Sequence, residues 1–236
     1  MKIIVGNWKM NGNRKDKFSM IQKISKIKTK NKIILCLPFT LLCGENNGVL
    51  MGAQNISEHD NGTYTGDISG KMIAQTGAKY VLVGHSERRL NHNETDEMAK
   101  QKAKAAIKNK LIPIICIGET LAEHESGKTV TVVKKMLKNC LPDSGKFIVA
   151  YEPRWAIGTG KTPTVEQTAK IHKMIFEYLK SAGYKTTPIL YGGSITAKNA
   201  SQFAAIPHVD GLLIGGASLK PGTFLPIIKK IDSMYN

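Results

Sequence analysis

The chain has 236 residues, 42% hydrophobic and 22% charged, enough to bury a substantial core in one large α/β domain or two small ones, with a composition ordinary for a soluble globular protein. Lys and Arg total 34 against 18 Asp and Glu, a formal net charge of +16, which leaves open a basic nucleic-acid-binding or surface-adhesive role. The residue types weigh against a specific nucleic-acid partner: arginine occurs only as Arg14, Arg88, Arg89 and Arg154, although base readout and bidentate phosphate contacts favour it over lysine. The lysines recur at helical spacing, as in Lys23, Lys26 and Lys30 or Lys100, Lys104 and Lys108, the pattern of a solvated outer face, and a positive field would also steer an anionic substrate.

The opening MKIIVGNWK has one lysine and a three-residue apolar run before Gly6, too short for a signal-peptide core, and no later apolar stretch approaches membrane length. The expectation is a cytoplasmic protein without membrane contact. Cys36, Cys43, Cys116 and Cys140 show no C-x-x-C spacing, and Cys36 and Cys116 lie inside apolar runs, as buried reduced thiols do.

In chain order, short continuous runs rich in Ile, Val and Leu occur at residues 2–8, 33–37, 49–54, 80–84, 112–117, 147–151, 188–191 and 210–214. Such runs fit strands buried on both faces of a parallel sheet. Helix-like sequence lies between most of them, at 16–28, 96–108, 130–139 and 165–181. The alternation predicts an α/β fold, a single (β/α)8 TIM barrel of eight parallel strands forming one catalytic domain over residues 1–236. The second helical region is expected to be short: residues 38–48 barely span a crossover and contain Gly44 and Asn46-Asn47-Gly48. The fifth is read as shortened too.

In such a barrel chemistry sits at the carboxyl ends of the strands. The first strand ends GNWKMNG, where Asn7 and Lys9 are two apart and face the same way, an amide beside an ammonium. The fourth ends VGHSERR, with His85 at the exit and Ser86 opening a helical turn, whose dipole disfavours the cationic imidazole and leaves a neutral donor. The sixth leads into AYEPRWAIGTGKTPT, residues 150–164. Pro153 pushes Glu152 toward extended backbone, so a carboxylate is delivered at a strand's end. The segment from Pro153 through Arg154, Trp155, Ala156, Ile157, Gly158, Thr159, Gly160 and Lys161 to Thr162 then reads as a lid with an apolar tip. Thr164 and Gln167 form a capping box for the next helix. GTGKT resembles the tail of a nucleotide-binding P-loop, but Trp155 occupies the position of its first glycine, so that reading fails. Gly192-Gly193 and Gly215-Gly216 follow strands seven and eight, where such barrels often hold phosphate.

Together these supply one carboxylate, one imidazole, one ammonium, one amide, a phosphate cradle and a closing loop. His59, His92, His124, His172 and His208 show no metal-ligand spacing and no dinucleotide fingerprint occurs, so neither metal nor cofactor is expected. Proton abstraction next to a carbonyl is the reaction these groups suit. An aldolase-like phosphosugar barrel, with Lys9 as a Schiff-base former, stays open at this point.

The motifs GNWKMNG, GAQN, GHSERR, CIGE, AYEPRWAIGTGK, YGGS and DGLLIGGASL follow one another along almost the whole chain, and in this order they resemble the triosephosphate isomerase family. The resemblance implies interconversion of dihydroxyacetone phosphate and D-glyceraldehyde 3-phosphate in glycolysis and gluconeogenesis, without cofactor. It implies Glu152 as base, His85 as neutral acid, and Lys9 with Asn7 stabilising the enediolate, with Glu87 near Lys9. Phosphate would be gripped by backbone groups of Gly158, Ser194, Gly215 and Gly216, with Leu213 and Ile157 closing over the base. The loop 54–69, with its Asn61-Gly62 and Thr65-Gly66 turns, would insert into a partner subunit of a homodimer, Thr65 near its tip and Asn11 in the receiving pocket. Arg154 and Pro163 depart from the small or aliphatic residues common at those lid positions.

Overall fold

The computed structural model describes residues 1–157 and 162–234. Its strands are β1 (Ile3–Asn7), β2 (Lys32–Leu37), β3 (Leu50–Ala53), β4 (Tyr80–Val83), β5 (Ile112–Ile117), β6 (Ile148–Tyr151), β7 (Ile189–Gly193) and β8 (Gly211–Ile214). All neighbouring pairs are parallel, and β8 returns to β1, with Gly211 opposite Ile3, to close the barrel. The helices are α1 (Arg14–Ile24), α2 (Phe39–Leu42), α3 (Gly70–Gln75), α4 (Ser86–His92), α5 (Asp96–Lys108), α6 (Leu121–Glu125), α7 (Thr129–Cys140), α8 (Val165–Ser181), α9 (Ala200–Ala204) and α10 (Pro221–Asp232).

The strands read as unbroken apolar runs because both their faces are buried. One face of each points into the barrel, where Val5, Ile34, Leu82, Ile114, Ile148, Leu190 and Leu213 pack as an interior cluster. The other meets the helices in a larger outer layer that includes Ile4, Leu35, Val81, Ile115, Val149, Tyr191 and Leu212. At Gly211 two stretches of backbone nearly touch: a Cβ there would stand 1.9 Å from the Ile3 carbonyl oxygen, so glycine is needed for the barrel to close.

The shortened second helical region is the four-residue α2. The fifth is not short. It carries α6 and the twelve-residue α7, because Thr120 and Glu123 form a capping box that starts a separate turn before the main helix. The abbreviated later region is instead the five-residue α9. The first predicted helix starts earlier than expected, at Arg14, because Asn13 accepts from the backbone of Lys15 and Asp16 while Asp16 answers to the Asn13 N–H. Helix α8 starts where its capping box predicts, Thr164 and Gln167 bonding reciprocally.

Candidate active site

Strand alternation carries the interior face of β1 and β6 up to the mouth of the barrel. Val5 is followed on the same side by Asn7 and then Lys9, and Ile148 and Ala150 by Glu152. On β4 the alternation is broken by Gly84 at φ +65°, a left-handed turn that suits glycine. His85 follows as N-cap of α4, with its Nδ1 accepting from the Glu87 N–H at 3.2 Å. That bond leaves the ring proton of a neutral imidazole on Nε2, the nitrogen that faces Glu152. His85 Nε2 and Glu152 Oε2 are 3.7 Å apart, both side chains nearly fully buried. Glu152 Oε2 has no hydrogen-bond partner among the described residues. Room for that carboxylate comes from Gly192, where a Cβ would stand 2.5 Å from Glu152 Cγ.

Lys9 Nζ pairs with Glu87 Oε1 at 2.6 Å. Its backbone is held in the left-handed region, φ +54°, by two amides: its N–H donates to Asn7 Oδ1 at 3.0 Å, and its carbonyl accepts from Gln54 Nε2 at 3.0 Å. A cavity of about 240 Å³ opens between these groups and is lined by Asn7, Lys9, His85, Glu152, Ile157, Ser194, Leu213, Gly215 and Gly216, among others. The residues expected to hold phosphate and those expected to move protons therefore share one chamber, apart from Gly158. Gly158, Thr159, Gly160 and Lys161 lie outside the described residues.

The described part of the segment read as a lid is anchored by Glu119, a residue the sequence reading did not single out. Arg154–Ala156 form a 3-10 turn. Trp155 Nε1 donates to Glu119 Oε1 at 2.9 Å and stacks on His124 with ring centroids 4.4 Å apart. Fully buried Glu119 also accepts from the Tyr151 hydroxyl at 3.2 Å. Burial first, and that carboxylate second, push the Tyr151 phenol well above its ordinary range, so it stays a donor. On the opposite wall Ser194 Oγ donates to the Ala156 carbonyl at 2.8 Å. Ser218 was likewise unforeseen: fully buried, its Oγ donates to Gly215 O at 2.7 Å and braces the glycine turn after β8.

Asn11 lines a second cavity of about 600 Å³ that adjoins the first and shares Asn7, Lys9 and His85 with it. Thr65 is exposed, in a turn of the 54–69 loop. The loop's base is tied by Ser57, whose Oγ donates to Asp67 Oδ2 at 2.6 Å and whose N–H donates to Ile68 O at 2.9 Å. Among the described residues no group of three or more His, Cys, Asp or Glu is placed to hold a metal ion, and no helix is long and apolar enough to cross a membrane.

Residues 2–231 match the family model described as triosephosphate isomerase. The chain belongs to the triosephosphate isomerase family. Among curated relatives, the triosephosphate isomerase of Albidiferax ferrireducens is 41% identical over 240 residues, covering 96% of this chain and 97% of the relative. That of Alkaliphilus metalliredigens is 42% identical over 245 residues, covering 96% and 98%. The crystal structure of triosephosphate isomerase from Bartonella henselae superposes with a TM-score of 0.86 at 39% identity, covering 97% of this chain and 98% of that one. The activity is that of the family: the enzyme interconverts dihydroxyacetone phosphate and D-glyceraldehyde 3-phosphate, a step of glycolysis, and its substrate is a triose phosphate. The aldolase-like alternative is thereby set aside.

Proposed function

We propose that Glu152 is the base of this isomerisation, taking the proton from the carbon beside the substrate carbonyl and returning it to the neighbouring carbon. His85 donates from Nε2 to the carbonyl oxygen as the enediolate forms, then moves hydrogen between the two oxygens. The ammonium of Lys9, oriented by Asn7 and Glu87, sits where negative charge develops and stabilises it more in the transition state than in the substrate. The phosphate rests against Ser194, Gly215 and Gly216 with Gly158 completing the grip, and Leu213 and Ile157 cover the base. Closure of residues 153–162 keeps water from the enediolate, which would otherwise expel its phosphate, and strengthens each electrostatic contact inside.

The observation that carries this reading is the buried carboxylate and imidazole facing each other at 3.7 Å in a chamber that also presents Lys9. A coupled isomerase assay on wild type and Glu152→Gln, run in chelator, tests it. Loss of a proton-abstracting base predicts a fall in kcat of at least about a hundredfold. Activity within tenfold of wild type would remove Glu152 from the role.

The same reading extends to the cell and the assembly. The enzyme acts in the cytoplasm, serves gluconeogenesis as well as glycolysis, uses no cofactor, and works as one catalytic domain in a homodimer. Loop 54–69 of each subunit enters the partner, Thr65 at its tip approaching the pocket that holds Asn11.

A further inference from the structure

At the end of the barrel opposite the active site, a groove of about 500 Å³ lies between α10 and the chain leaving α1. The helices run back against the parallel strands, so α1 ends at the strands' amino ends, just before β2 begins. The groove shares no residue with the active-site cavity. Ile27 and Leu225 form its floor, half-buried and packed against the core. Lys23, Lys26, Lys28 and Lys229 also line it and are exposed, so their charged heads stand in water around an apolar floor.

The spacing of Lys23 and Lys26 reads in the sequence as part of a solvated outer face, yet both border a concavity. Lys23 and Lys229 occupy the last turns of α1 and α10, where a cation offsets the helix dipole. Lys26 and Lys28 lie past the end of α1, so the dipole does not account for them. None of the four is in an ion pair among the described residues; the lysines paired with carboxylates are Lys9, Lys100, Lys102, Lys104, Lys108 and Lys173. The groove's own carboxylate is committed to the fold: Asp232 Oδ1 accepts from the Thr29 hydroxyl at 2.6 Å and from the Asn31 amide at 2.7 Å.

The lining selects among anions. A bare phosphate chain would leave Ile27 and Leu225 in water. A nucleic-acid strand would find, among the described lining residues, no arginine for its phosphates and no aromatic ring for its bases. A lipid surface does not enter a concave site, and a second copy of this chain brings the same charge of +16. We propose that this groove docks an acidic segment of a partner protein, in which an aliphatic side chain is flanked by Asp or Glu. The aliphatic group covers Ile27 and Leu225 while the flanking carboxylates pair with the four lysines. The net positive charge steers such a segment toward the protein. Docking at the far end of the barrel leaves the isomerase working.

The test is fluorescence anisotropy with a labelled peptide of about ten residues, a single leucine among glutamates. It compares the wild-type protein, Lys26→Glu combined with Lys28→Glu, and Lys134→Glu combined with Lys135→Glu. The last pair, exposed on α7, makes the same change in net charge away from the groove. Wild type should bind with a Kd of about 1–100 μM in about 20 mM salt. The groove pair should weaken binding at least about tenfold and the α7 pair less than about threefold. Serine in place of the peptide's leucine should weaken binding at least about threefold, and Leu225→Ala should remove most of that difference. Saturating peptide should leave wild-type kcat and KM unchanged. Equal weakening by the two lysine pairs, or indifference to the leucine, overturns the proposal, since charge alone would then account for binding. A rise in KM with peptide places the peptide at the active site and overturns it too. Tighter binding of polyuridylate or of phosphatidylserine vesicles than of the peptide, through Lys26 and Lys28, replaces the partner protein with a nucleic acid or a lipid. Should Leu225→Ala fail to fold, the leucine exchange in the peptide and the exposed lysine pairs decide.

Discussion

Lys9 shows how the site trades stability for placement. A non-glycine residue in the left-handed region costs roughly 1–2 kcal/mol, and Lys9 sits there at φ +54°. Its ion pair with Glu87 is partly exposed on both sides, so it returns only about 0–1 kcal/mol. The conformation is held from outside, by Asn7 Oδ1 on its N–H and Gln54 Nε2 on its carbonyl. Lys9→Gly removes the charge and the strain together, whereas Lys9→Met removes the charge alone. Both should lose activity by about a hundredfold or more. In urea unfolding Lys9→Gly should be at least as stable as Lys9→Met, strain relief offsetting glycine's greater chain entropy. A glycine variant less stable than the methionine variant by over about 1 kcal/mol would show that the backbone at residue 9 is unstrained.

The residues proposed to react stood out because each is next to a marker that constrains the backbone: Glu152 before Pro153, His85 after Gly84, Lys9 two residues past Asn7. The residues that hold them did not. Gln54 reaches the Lys9 carbonyl from 45 positions away, Glu119 reaches Trp155 from 36, and Ser218 braces a turn beside β1, its Oγ 3.5 Å from the Asn7 carbonyl and 211 positions away in the chain. No spacing rule encodes such contacts; only the closed barrel brings them together. Among the elements the asymmetry is similar. Strands buried on both faces announce themselves as apolar runs. Helix α4 has no buried residue, α3 and α9 have six and five residues, and α10 carries Pro226 inside it, so the 3.6-residue periodicity on which recognition depends is faint or interrupted.

Helix α8 carries a titratable group that the chemistry does not use. His172 is fully buried beneath β6 and β7, its ring edge-on to Tyr151 at 5.9 Å, and Nδ1 lies 3.1 Å from the His208 carbonyl. With a carbonyl as its partner, Nδ1 carries the proton of a neutral ring, and Nε2 has no partner among the described residues. Burial, as the main cause, lowers its pKa from 6.5 to about 4. The unfolded chain therefore binds a proton between these values that the folded chain refuses. Stability is fully present above pH 6.5 and is lost as pH falls toward 4, by about 3 kcal/mol in all and about 2 kcal/mol by pH 5. His172→Asn, which keeps a donor for the His208 carbonyl but cannot charge, should be less stable than wild type at pH 7.5 through lost volume. That gap should shrink by about 2 kcal/mol at pH 5. Parallel wild-type and variant curves across this range would mean that His172 is protonated within the fold.

At the scale of the whole molecule, two surface features pull against each other. Met10 is 96% exposed and Leu90 72% exposed, and Met10 lines the 600 Å³ cavity beside the active site, together with Asn11. A large apolar side chain left in water, as Met10 is at the rim of this cavity, favours a partner that covers it. Against this stands the charge: two chains at +16 make +32, and like charge opposes association. Salt screens the repulsion between exposed lysines over about 8–10 Å at ionic strengths of 0.1–0.15 M, while burial of Met10 and Leu90 is insensitive to it. Sedimentation at micromolar concentration should find a homodimer whose dissociation constant falls as salt rises from about 20 to about 150 mM. Because association stabilises only the folded subunit, the midpoint of thermal unfolding should climb with protein concentration. Thr65→Arg, adding a cation at the turn proposed to enter the partner, should weaken the dimer and leave the isolated fold intact. A sedimenting species that is monomeric at micromolar concentration and fully active would show that the pocket lined by Asn11 completes itself within one chain, and that the 54–69 loop serves no second subunit.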